Sequence, residues 1–128
     1  MQTANVLQKL ERNDIFEARR ESGAALTCIV VEVDTERILA RRITTQEICE
    51  FSRSTGEELM RLDKSSGEIM SVEPLPLPIY QTLLSLDRRY RLSTTKYRLQ
   101  LTDEETAALL FLSEFYSTHP WKKSKSEI

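Results

Sequence analysis

Three prolines at alternate positions, Pro74, Pro76 and Pro78, divide this chain into two kinds of material. Proline has no amide hydrogen to give to a ladder and its ring fixes φ, so a run with proline at every second residue cannot lie inside a sheet. It favours an extended polyproline-type strut, and Pro78 suits the first turn of a helix. Sequence with strand character lies before the strut, and mostly helical sequence lies after it.

Before the strut, ALTCIVVEVD (residues 25–34) is rich in β-branched residues and bounded by turn formers, the strongest strand signal in the chain. A two-residue turn at Thr35-Glu36 sets Asp34 opposite Arg37 and returns RILARRI alongside. In that register Ile29, Val31, Val33, Ile38 and Ala40 share one face, and Cys28, Val30, Leu39 and Ile43 the other, so the strand is expected to be covered on both sides. Cys28 then faces Ile43, far from Cys49, and no disulfide is expected between the two cysteines.

Residues 44–53, TTQEICEFSR, carry two signals: Thr44 and Glu47 have capping-box spacing, while Cys49 and Phe51 alternate as in a strand. Strand is preferred, because hairpin chemistry follows. Ser54-Thr55-Gly56-Glu57 returns as Ser65-Ser66-Gly67-Glu68, and each Gly falls where a hairpin loop needs positive φ. ELMRLD and EIMSVE then read as strands of a β-meander, one strand plus one turn per repeat.

Two short helices are expected at the start. Val6, Leu7 and Leu10 share a helical face, Asp14 and Glu17 have the spacing of a capping box, and Gly23 suits a helix end. After the strut, Ile79, Leu83, Leu86 and Tyr90 form a helical stripe with Arg88, Arg89 and Arg91 near its C-terminal end. KYRLQL alternates like a half-exposed strand. Thr102 and Glu105 open a last helix whose apolar arc holds Ala108, Leu109, Phe111, Leu112, Phe115 and Tyr116, with Leu110 pointing away from it.

The expected fold class is therefore α+β: N-terminal helices, an antiparallel β-meander of four or five strands, then helix, strand and helix packed on the sheet. A chain of 128 residues fits one domain, drawn at 1–120 with 121–128 as a C-terminal tail. Its net charge of −2 gives no global attraction to nucleic acid or anionic lipid. MQTANVLQKLERND lacks the apolar run of a secretory signal, and no stretch approaches a membrane span, so a cytoplasmic chain is expected, with no membrane partner.

Reactive groups are few. His119 is the one histidine and precedes a proline at a helix end, a poor place for a general base. Cys49 lies between Glu47 and Glu50, which disfavour a thiolate, and Cys28 reads as a small core residue. No zinc constellation, EF-hand, P-loop or GxGxxG is present, and no cofactor or metal is expected. Lys64-Ser65-Ser66-Gly67 has the composition of an anion nest, but tight turns share it for structural reasons.

The function expected is a non-enzymatic protein-interaction module, a homo-oligomer such as a homodimer or a binder of another protein. Surplus apolar surface motivates it: Leu59, Met60, Leu62, Ile69, Met70 and Val72 on both faces of the second hairpin, and Leu110 on the last helix. The alternative is a nucleic-acid-binding regulator using the basic and aromatic segment 88–98, through Arg88, Arg89, Arg91, Lys96 and Arg98.

Overall fold

A computed structural model describes residues 6–59, 67–93 and 99–121. It contains β1 (Ile15–Arg20), β2 (Ala25–Val33), β3 (Arg37–Arg42), β4 (Ile48–Ser52), β5 (Gly67–Ser71), α1 (Leu77–Leu92) and α2 (Asp103–Ser117), preceded by one 3₁₀ turn at Val6–Lys9. The fold is α+β with an antiparallel sheet in the order β4-β3-β2-β1-β5.

The sheet curls until its edges meet. Between β4 and β5, Glu58 bridges Phe51 and Glu57 bridges Glu68. The Leu59 amide donates to the Glu50 carbonyl on one side, and the Glu58 amide donates to the Gly67 carbonyl on the other, both at 2.8 Å. Residues 57–59 thus act as a closing strand, and closure removes the edges that an open sheet leaves unpaired. Inside lie Phe16, Ala18, Leu26, Cys28, Val30, Ile38, Ala40, Cys49, Phe51 and Ile69, with Leu7 and Leu10 packed among them from the 3₁₀ turn. Phe16 and Phe51 meet edge to face at 5.4 Å.

Outside the curl, Ile15, Ile29 and Ile43 meet Leu83, Leu86 and Tyr90 of α1 and Ala108, Leu112 and Tyr116 of α2. The order is thus sheet, helix, helix. The expected N-terminal helices are absent: Val6–Lys9 is a single turn, and residues 15–20 form β1, paired on both sides, between β2 and β5. Asp14 does not cap forward; its carboxylate accepts back from the Glu11 amide at 2.8 Å. Among the described residues of KYRLQL no strand forms. Residues 99–101 are irregular, with Leu99 and Leu101 packed against the helical layer, and residues 96–98 lie outside the described residues.

The β2–β3 turn forms as expected, with the Asp34 carboxylate accepting from the Glu36 and Arg37 amides at 2.8 and 2.7 Å. The expected register then fails beyond Val31. Val33 pairs Ile38 and Glu32 pairs Leu39, but a bulge makes Val30 pair Ala40 and Cys28 pair Arg42. A bulge reverses the alternation, so Cys28 and Val30 turn inward with Ile38 and Ala40, while Ile29 turns toward the helices. In β4 the alternation of Cys49 and Phe51 prevails, and both are buried.

Of the two repeat glycines, Gly56 has φ of +80°, as a hairpin loop requires, whereas Gly67 does not belong to the positive-φ set. Gly67 is needed for close approach. A Cβ there would lie 2.8 Å from the Glu58 carboxylate and 3.0 Å from the Arg19 carbonyl. Gly67→Ala is expected to lower stability by about 1–3 kcal/mol in urea melts, because a backbone oxygen cannot step aside.

Charge pairs fasten the helical layer. Buried Asp87 of α1 accepts two bonds from the Arg41 guanidinium of β3, at 3.1 and 2.8 Å, and one each from Gln46 and Arg91. Arg89 reaches Glu105, whose side chain also completes the Thr102 capping box, and donates to the Gln100 carbonyl at 3.0 Å. Burial works against both carboxylates, yet these bonds hold them below the ordinary range. Since the folded-state values are depressed, the stability they supply is complete above the unfolded-state range near pH 4 and is lost as pH falls through the folded values. Asp87→Ala is expected to cost about 3 kcal/mol in urea melts at neutral pH, and the deficit relative to wild type should shrink in acid.

Candidate functional site

The described surface offers its most exposed apolar side chains on the helices. The capping box at Thr102 fixes where α2 starts, and its register turns Glu105, Ala108, Leu112 and Tyr116 inward. Leu110 lies nearly opposite that arc and is 72% exposed, and Phe111, expected within the arc, is 36% exposed at its edge. Phe111 stacks on Phe115 at 5.1 Å, and Phe115 stacks on His119 at 4.5 Å. Leu92, at the end of α1, is 74% exposed.

The hairpin residues behave differently from Leu110. Ile69 is 1% exposed inside the curl, and Val72 packs against the same core half-buried. Leu59 and Met70 are half-buried, and Met60 and Leu62 lie outside the described residues. The expectation of two open hairpin faces did not allow for closure, which makes one face interior. The Trp121 ring supplies further cover. It packs on that core, its indole N–H donates to the Ile69 carbonyl at 2.6 Å, and its amide donates to the Met70 carbonyl at 3.0 Å. Trp121 thus belongs to the core rather than to the expected tail, and residues 122–128 lie outside the described residues. A missed signal was the residue type, since a tryptophan is seldom left without cover.

Of the basic segment, Arg88 is exposed, whereas Arg89 is engaged by Glu105 and Arg91 by Asp87 at 3.0 Å. Lys96 and Arg98 lie outside the described residues.

The reactive groups are withdrawn. His119 directs Nδ1 at the Phe115 carbonyl, 2.8 Å away, while its own carbonyl accepts from the Ser71 hydroxyl at 2.5 Å. A carbonyl accepts only, so Nδ1 carries the proton in that contact. Cys28 and Cys49 are buried free thiols. Burial, then the charges of Glu47 and Glu58, pushes Cys49 up to about 11, and burial raises Cys28 well above the ordinary range. Beside Cys49, the Arg20 guanidinium meets both oxygens of Glu58 at 3.2 and 3.0 Å, and Glu47 at 3.3 Å. Among the described residues no cluster of three or more His, Cys, Asp or Glu side chains could hold a metal ion, and no helix is long and apolar enough to cross a membrane.

Comparison with protein families, with curated proteins and with solved structures finds no match to this chain.

The environment of the two thiols sets their reactivity. At about pH 8 a thiol-disulfide reagent such as DTNB is expected to leave both unmodified in the native protein and to modify both in denaturant, because the thiolate is the nucleophile. Fast native labelling of either cysteine would contradict their burial.

Proposed function

We propose that the protein is a non-enzymatic interaction module that associates with a second copy of itself through the outer face of α2. The observation that carries this reading is Leu110, 72% exposed on the face opposite the helix's buried arc, with Phe111 part-exposed at the arc's edge. An antiparallel crossing of two α2 helices centred on Leu110 sets Glu114 of one copy beside Thr106 of the other, and Asp103 beside Ser117. Acid then meets hydroxyl. A parallel crossing would set each acid on its own counterpart, a repulsive arrangement.

Magnitudes fix the kind of association. Leu110 and Phe111 from each copy contribute roughly 1.5–3 kcal/mol per side chain when fully covered. Association itself costs about 4–15 kcal/mol in lost freedom. Only at the favourable end of both ranges does the balance reach about 8 kcal/mol, so the dimer is micromolar at its tightest and forms and dissolves with concentration.

Light scattering across about 1–200 µM is expected to show the apparent mass rising toward twice that of one chain. Leu110→Glu should hold the mass at one chain throughout, while Leu92→Glu, on the exposed end of α1, should leave the rise intact. A wild-type mass that stays at one chain over the whole range would falsify the proposal.

A further inference from the structure

On another part of the surface, two hollows adjoin where the chain leaves β5. One, of about 420 Å³, is lined by residues that include Leu10, Val72, His119, Pro120 and Trp121. The other, of about 250 Å³, is lined by residues that include Ile15, Leu75 and Tyr80. Asp14, Val72 and Pro74 line both, so Asp14 stands at their junction, with Trp121 toward one end and Tyr80 toward the other. The two aromatic residues are anchored: the Tyr80 hydroxyl donates to the Asn13 carbonyl at 2.8 Å, and the indole of Trp121 donates to Ile69.

The charges along this groove differ from those that join the elements of the fold. Glu17, Glu47, Glu50, Glu58, Asp87 and Glu105 each have an arginine partner. The half-buried Asp14 carboxylate accepts one backbone amide and forms no ion pair with the described residues, and neither does Glu73 of the same groove. Lys9, the one cation among its lining residues, leaves that lining with an excess of negative charge. Burial lifts the Asp14 carboxyl above its ordinary range, as expected of an acid without a cation. An apolar groove with a few convergent polar groups is the usual form of a binding site, and a desolvated carboxylate in it favours a cationic group.

We propose that this groove binds an extended peptide whose arginine or lysine meets Asp14, with Glu73 adding to the negative field, while apolar residues on either side fill the hollows toward Trp121 and Tyr80. In an extended chain every second side chain points the same way, so the sequence recognised is apolar-x-Arg/Lys-x-apolar. Backbone and apolar contacts supply affinity in such complexes, and the central ion pair supplies selectivity. The proposal stands independently of self-association, since α2's outer face contributes no residue to either hollow.

The test uses the full chain, panned against a displayed library of random heptapeptides. Selected peptides are synthesised and titrated while following emission from Trp121, the one tryptophan of the sequence. The expected result is enrichment of the stated pattern and a saturable change in emission. Asp14→Asn with Glu73→Gln should weaken binding about tenfold or more, and raised salt should weaken it in wild type. Leu110→Glu should bind as wild type does. Replacing the peptide's basic residue with norleucine probes the same contact without altering the protein, and should cost as much. Overturning results are failure to select any peptide, selection of sequences without a basic residue, an unchanged Trp121 emission, or equal affinity for the norleucine peptide.

Discussion

The two-point contact between Arg20 and Glu58 is the interaction on which the closed sheet depends. Arg20 is the last residue of β1 and Glu58 lies on the closing strand; their side chains are 8% and 2% exposed. Donation to the Glu58 carboxylate holds the guanidinium proton more firmly still. Burying one of these charges without the other costs several kcal/mol, whereas a matched two-point pair offsets most of the desolvation. The consequence is register. Sliding the closing strand by one residue would bring Leu59 or the oppositely directed Glu57 to the guanidinium, leaving a buried charge unmatched. Gly67 serves the same contact, because the carboxylate occupies the space that a β-carbon would take.

Once the sheet is closed, its two faces have different tasks. The inner one is filled mainly by its own strands, with Leu7 and Leu10 from the 3₁₀ turn and Trp121 among the residues that cover it. The outer one presents Ile15, Ile29 and Ile43 to a pair of helices. Because α1 and α2 lie side by side on that face, each has an arc turned away from the sheet. Asp87 and Glu105 fix which arc that is, since one joins α1 to β3 and the other joins α1 to the start of α2. The exposure of Leu110 thus follows from a helix register set by charge pairs and by the Thr102 capping box.

Much of the chemistry local to a turn or cap was legible in the sequence, the Asp14–Glu17 spacing and Gly67 excepted, and pairing at a distance was not. The Asp34 turn, the Gly56 loop, the proline-led start of α1 and the Thr102–Glu105 box depend on neighbours within a few residues, and each forms as its residues suggest. The helix expected over residues 15–20 rests on the capping-box spacing of Asp14 and Glu17 and on Gly23, and IFEARR shows no alternation in polarity to oppose it. Its strand is flanked by β2 and β5, with Phe16 and Ala18 inside the curl and Ile15 among the helices, so both faces are buried and periodicity is lost. The bulge at Val31 left no trace either, since apolar residues occupy both faces there. For the candidate surface, Leu110 was identifiable from helical phase alone, whereas Ile69 was misplaced because closure is a long-range event. Trp121 and Asp14 were passed over because each belongs to a groove built from several separate parts of the chain.

The charged side chains can be sorted by what holds them. Those joined to a partner across elements mark the places where the fold would otherwise come apart: β1 to the closing strand, β3 to α1, and α1 to α2. Arg53 belongs with them, its guanidinium donating to the carbonyls of Leu7, Gln8, Leu10 and Asp34 and so fastening the 3₁₀ turn to the sheet. Asp14 stands apart. It is a half-buried acid kept in an apolar groove without a cation; one backbone bond, from the Glu11 amide, opposes its desolvation, and burial outweighs that bond. A half-buried acid without a cation is weak design for stability and sound design for selectivity, since a ligand that supplies the missing charge recovers part of what the free protein gives up.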